Sequence, residues 1–145
     1  MTLRRGSLFA LGCISLLAAT PMFAASWARL SRSTTGDQIW ADVSSISEQE
    51  GVRTAWIRRV YLRPDREGAT SDLARFRYDC ASRETALMDV IYYGARGQAV
   101  SHAQPHRLNW RPVVPESVGE GDFNFICSFP IGTSPREIAG LVIEP

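Results

Sequence analysis

The chain has 145 residues, 16 of them basic and 15 acidic, and 45% of it is hydrophobic. That length holds one domain with a modest core and leaves no room for a second, and an ordinary apolar fraction without low-complexity tracts excludes wholesale disorder. Every basic residue is arginine and the formal net charge is +1, so the electrostatic footprint of a general nucleic-acid binder is missing.

The first segment reads as an address. Arg4 and Arg5 precede an apolar run over residues 8–19, and Thr20, Pro21, Met22, Phe23, Ala24 and Ala25 form a small-residue exit, the pattern of a secretory signal peptide. The run is about a dozen residues, short of the roughly 20 that a membrane span needs. Residues 1–25 are therefore predicted to be removed after Ala24 or Ala25, leaving residues 26–145 without a transmembrane span. Gly12-Cys13 has the end of a lipoprotein site, but the apolar run before it is too short and continues past it. A bare Arg4-Arg5 pair is common in positive n-regions and does not make a twin-arginine signal. Cleavage removes Cys13 and two arginines, so the mature chain carries one more carboxylate than arginine.

A first short strand is predicted over 27–32, with a turn at Thr34-Thr35-Gly36, and a second strand over 38–43. Residues 44–47 and 48–51 read as a turn. The longest β-rich run is 52–61, whose rhythm slips where Trp56 and Ile57, then Arg58 and Arg59, stand side by side, so a bulge or edge position is expected there. Residues 63–71, with Pro64, Gly68 and several charges, read as a mobile loop. The stretch 73–80 alternates most cleanly: Ala74, Phe76, Tyr78 and Cys80 on one side, Arg75, Arg77 and Asp79 on the other, as a sheet with one buried and one wet face requires.

A further strand over 85–93 sets Met88, Val90 and Tyr92 against Leu87, Asp89, Ile91 and Tyr93, with the first set taken as the apolar side. Gly94-Ala95-Arg96-Gly97 reads as a reverse turn into a partner strand over 98–103. Another extended piece, 108–114, is limited by Pro112 and closed by Pro115. Ser117-Val118-Gly119-Glu120 has capping-box spacing. It predicts a helix from 118 to about 127 with Phe123, Ile126 and Cys127 on one stripe. In the tail, Ser134-Pro135-Arg136-Glu137 reads as a short capped turn, and 141–143 as a docking segment or strand. The predicted class is α+β: one antiparallel meandering sheet of five to six strands, a C-terminal helix packed on it, and one disulfide.

Cys80 and Cys127 are the thiols left after processing, and an exported chain meets an oxidising compartment, so a bridge between them is the expectation. Without a Cys-x-x-Cys, and with two sulfurs making only half a zinc site, redox and metal roles lack support. His102 and His106 stand four apart but flank Pro105 in extended chain, which does not present two imidazoles to one metal. No serine lies in Gly-x-Ser-x-Gly and Gly94 to Gly97 lacks the ending of a phosphate loop, so no enzymatic activity is predicted. Arg58, Arg59, Arg63 and Arg66, with Tyr61 among them, are candidates for an acidic partner such as a glycosaminoglycan or lipid phosphate. The competing reading is a solvated face balanced by Asp65 and Glu67.

Taken in order, Trp27, Asp42 to Ile46, Trp56, Tyr78-Asp79-Cys80, Tyr92-Tyr93-Gly94 to Gly97, Trp110, Pro115-x-Ser117-x-x-Glu120 and Cys127 resemble the surface-adhesin protein E-like family. The resemblance covers residues 27–128. It implies an exported domain of Gram-negative bacteria, in the periplasm or at the outer-membrane surface, built as an antiparallel sheet with a C-terminal helix and a disulfide. It also implies a non-enzymatic module that binds host extracellular-matrix or serum proteins, with no resident cofactor. The alternative is a periplasmic domain holding a planar apolar ligand such as haem. The chain differs from the adhesin pattern in lacking a convincing lipoprotein site and in its tail over 129–145. Monomer and dimer are both left open.

Overall fold

A computed structural model describes residues 25–133. The predicted signal peptide, Cys13, the turn at Ser134 to Glu137 and the segment 141–143 lie outside the described residues. Seven strands precede one helix: β1 (Trp27–Arg32), β2 (Gln38–Gln49), β3 (Val52–Val60), β4 (Ala69–Asp79), β5 (Glu84–Gly94), β6 (Ala99–Ala103), the two-residue β7 (Arg111–Pro112) and α1 (Val118–Ser128). The first six form one antiparallel meander in chain order, and β7 pairs with the start of β5, Glu84 opposite Pro112 and Thr85 opposite Arg111. The expected extended piece over 108–114 is thus paired only at its middle, since Pro112 and Pro115 lack the N–H that a ladder needs.

β2 is longer than expected. Residues 44–49 look like a turn by composition but remain in the strand, and the reversal is confined to Glu50 and Gly51, at φ 54° and 78°. A register shift between Asp42 and Ser47 takes up the extra residues opposite Trp56 and Thr54. The Asp42 carboxylate accepts hydrogen bonds from the N–H and hydroxyl of Ser44, and the Ser45 hydroxyl donates to the Asp42 carbonyl. The bulge expected on β3 therefore belongs to β2. β3 is internal and pairs with β4 without a break from Val52 to Val60. A second correction lies in β5, where Arg75 faces Asp89 but Phe76 faces Leu87. Met88 is the extra residue, and Leu87 passes to the side of Phe76 and Val90, against the simple alternation. The loop after β3 ends at Gly68, closed by the Asp65 carboxylate accepting from the Glu67 and Ala69 N–H groups, so β4 begins two residues before Ser71.

One face of the sheet carries the core: Ile39, Ala41, Ala55, Ile57 and Tyr78, covered by Phe123 and Ile126 of α1. The helix is capped as its sequence predicts at one end, with the Ser117 hydroxyl accepting from the Glu120 N–H at 3.2 Å. The Glu120 carboxylate turns back to the Glu116 N–H at 2.8 Å and pairs with Arg83 at 2.7 Å. No basic residue lies in the last turn. The sheet supplies one instead: Arg53 on β3 donates to the carbonyls of Ile126 and Phe129 at 2.6 and 2.7 Å, meeting the negative end of the helix. Cys80 lies in the turn after β4 rather than in the strand, and its bridge to Cys127 joins that turn to the last turn of α1, with Cα atoms 5.7 Å apart.

Candidate functional site

The helix covers one side of the sheet, and among the described residues no other element packs on the opposite side, the bare face. Cross-strand register puts Trp27, Asp42, Trp56, Arg75 and Asp89 in one row of the bare face, and Arg29, Trp40, Arg58, Leu73, Ile91 and His102 in the next. Trp110, just before β7, lies 5.8 Å beneath the Arg77 guanidinium, and Trp56 lies 5.9 Å beneath that of Arg75. All four tryptophans of the chain thus lie on this face. Arg75 and Arg77 follow from the alternation of β4. Their indole partners come from strands far apart in sequence, which no local pattern shows.

The charges here are unbalanced in a specific way. Asp42 is occupied by Ser26 and Ser44, and Asp89 by His102 at 2.6 Å. Among the described residues, Arg29, Arg58, Arg75 and Arg77 have no carboxylate partner. The Trp40 indole, 4% exposed, has an N–H without an acceptor, an uncommon state for a buried tryptophan. A cleft of about 270 Å³ opens on the face, with Trp27, Leu73 and Tyr93 as its apolar walls and Arg58 beside them. Gly97 of the β5–β6 turn lines the same cleft as Trp27 of β1. In a flat sheet, four strand steps would separate them by about 19 Å. The side chains of Trp27, Arg58 and Tyr93 reach across this span to form the cleft.

The four arginines picked from the sequence do not form one patch. Arg58 points to the bare face. Arg59, its neighbour, points to the helix side and pairs with buried Asp72 at 2.9 Å, while Arg63 and Arg66 are exposed in the loop. Asp72 also accepts from the Tyr61 hydroxyl, whose pKa is pushed up by burial and then by that bond. A second cleft, about 310 Å³, lies on the helix side between the start of α1 and β2–β4, lined by Asp37, Ile39, Arg59, Phe76, Val118 and Asp122 among others. Burial pushes the Asp122 carboxyl up to about 6 against the opposing pull of Arg59.

An antiparallel sheet with one helix bridged to its covered side and an open aromatic and cationic face is the architecture of a small binding module. The chain belongs to the family described as Surface-adhesin protein E, whose model matches residues 27–128, from the first residue of β1 to the last of α1. Among solved structures, protein E of Haemophilus influenzae is similar at a TM-score of 0.50 and 17% identity, over 77% of this chain and 91% of that one. A second crystal form of that protein gives a TM-score of 0.50 and 15% identity, over 77% and 94%. These likenesses show the fold. No curated protein matches the chain in sequence.

Proposed function

We propose that the chain is an exported, non-enzymatic adhesin module, carried beyond the inner membrane by residues 1–25 and acting as residues 26–145. There its bare face engages host extracellular-matrix or serum proteins. The observation that carries this reading is the gathering of Trp27, Trp56 and Trp110 with four arginines that, among the described residues, have no carboxylate partner, on the one side that the helix leaves open. Tryptophan and arginine dominate the energetics of protein interfaces. The face offers stacking surfaces and hydrogen-bond donors rather than a nucleophile with a base, which supports a binding role.

Protease treatment of intact cells should remove the protein, and the purified domain should bind immobilised matrix or serum proteins. Truncating an interface anchor costs about 2 kcal/mol or more, roughly 30-fold, so Trp56→Ala should weaken that binding by this order while Arg63→Ala leaves it unchanged. Full protection from protease on intact cells would overturn the surface reading. The cleft of Trp27, Leu73, Tyr93 and Arg58 favours the second reading, a periplasmic domain holding a planar apolar molecule. Protease protection together with a visible-band shift on adding haem would establish it. Processing is checked by the N-terminal mass, expected to begin at Ala25 or Ser26 without an acyl group. A diacylglyceryl mass on Cys13 would show a lipoprotein instead.

A further inference from the structure

We propose that the bare face binds a linear acidic polysaccharide of the host matrix. Its sugar rings would stack on Trp27, and its carboxylates or sulfates would meet Arg29, Arg58 and Arg75, the last held in place over Trp56. The inference rests on the reading of the chain as an exported binding module and names the ligand chemistry of that face.

The hydrogen-bonding inventory points to this class. The carboxylates of the two rows, Asp42 and Asp89, already have partners, whereas among the described residues the guanidinium groups of Arg29, Arg58, Arg75 and Arg77 have no carboxylate partner. A face of unmet donors calls for a ligand rich in acceptors and in negative charge. Arg75 and Arg77 lie over indole rings at 5.9 and 5.8 Å. Stacking holds a guanidinium in place while leaving its edge N–H groups free for a bidentate oxyanion. A pyranose ring presents a face of C–H bonds, weakly positive, which suits the negative face of an indole. In the row that crosses the strands, Trp27, Asp42, Trp56 and Arg75 come in turn, with the Asp42 carboxylate already engaged by Ser26 and Ser44 and strands about 4.8 Å apart. Such a row suits a ligand that repeats rings and charges along its length.

Shape separates a glycan from an acidic polypeptide. A cleft of about 270 Å³ falls at the small end of ligand sites, of a size for a ring, whereas a helix is about 10 Å across. An extended peptide would join a sheet at its edge, where backbone groups are free, and the face of a sheet offers none.

The test uses the full mature domain, with heparin as the acidic polysaccharide and with polyglutamate, neutral dextran and lipopolysaccharide as comparisons. Heparin should bind in a salt-sensitive manner and dextran should not. Arg58→Ala combined with Arg75→Ala should weaken binding at least tenfold, Trp56→Ala should do likewise, and Trp56→Phe should restore most of it. Arg63→Ala with Arg66→Ala, which changes as much charge away from the face, should bind as the parent does. Thermal midpoints measured on every variant confirm that each is folded. Polyglutamate binding as tightly as heparin, or Trp56→Ala losing nothing, overturns the glycan reading. Lipopolysaccharide competing as well as heparin overturns the host source. Loss of matrix-protein binding in Trp56→Ala without any heparin binding sinks this inference and leaves the adhesin reading standing.

Discussion

Asp122 shows how far a single side chain can depart from what its place in the sequence suggests. It lies in the first half of a helix, where a carboxylate is ordinarily welcome, yet burial against the sheet pushes its pKa from 3.8 up to about 6. Among the described residues its Oδ1 has no hydrogen-bond partner. Arg59 attracts it, Asp37 shares its cleft, and its charge in turn pushes the Tyr78 hydroxyl further up. The folded protein therefore holds a proton there that the unfolded chain releases, and stability falls as pH rises through the window from about 4 to about 6. At 1.36 kcal/mol per pKa unit the ionised group costs on the order of 3 kcal/mol at neutral pH. Asp37 and Asp79 act in the opposite sense, because hydrogen bonds lower their values. Their stabilisation is present above the unfolded value and is lost as pH falls below about 4. The thermal midpoint should thus rise between pH 7.5 and 5 and drop below 4. Asp122→Asn should raise stability at pH 7.5 by about 1–2 kcal/mol and flatten the rise toward pH 5. An Asn variant with the parent's pH profile would refute the assignment. None of this is legible in the sequence, since the burial of Asp122 comes from strands 40 or more positions away.

At the scale of elements, alternation identified the strands well and their faces only up to the first bulge. From Leu73 to Tyr78 the pattern gave the right sides, because β4 pairs there in regular register with β3. In β5 the extra Met88 exchanges the faces of everything before it, and a hydrophobic residue in an apolar run gives no sign that it will bulge. Arg58 and Arg59 show the same rule from the other side, since neighbours in a strand point apart. The helix start was legible because a cap is a local device. Ser117→Ala should cost about 0.5–2 kcal/mol. Glu120→Ala removes the Glu116 bond and the Arg83 pair, and its loss should combine less than additively with that of Ser117→Ala, since both serve one turn. Arg83→Ala should overlap with Glu120→Ala and add independently to Ser117→Ala. Chemical denaturation of the single and double variants measures these couplings. Full additivity throughout would mean that the turn is not held as a unit.

For the molecule as a whole, the question is what keeps α1 on the sheet. The helix is short, 11 residues, below the length at which an isolated helix holds in water. Its attachments are Phe123 and Ile126 in the core, the Glu120–Arg83 pair in its first turn, Arg53 at its C-terminal carbonyls, and the bridge from Cys127 to Cys80. The sequence announced the bridge through the count of its thiols. It could not announce Arg53, which lies 73 positions from Ile126. With a separation of 47, closing the loop removes on the order of 4 kcal/mol of unfolded-state freedom, against a total stability of about 5–15 kcal/mol for a domain of this kind. The unreduced protein should show no titratable thiol when denatured. The double variant Cys80→Ala, Cys127→Ala should lose up to about 4 kcal/mol, and the loss should be uneven. Strands β2 to β4 are each paired on both sides, while α1 would retain its apolar stripe, the Arg53 contacts at its end and the Glu120–Arg83 pair at its start. Hydrogen exchange should therefore show the amides of residues 122–128 opening first, with those of 55–58 and 73–76 still protected. The bare face lies on the opposite side of the sheet, so any heparin binding by the parent should persist in the same variant under conditions where the sheet stays folded. A uniform collapse of protection across helix and sheet would show that the bridge holds the whole domain and not the helix alone.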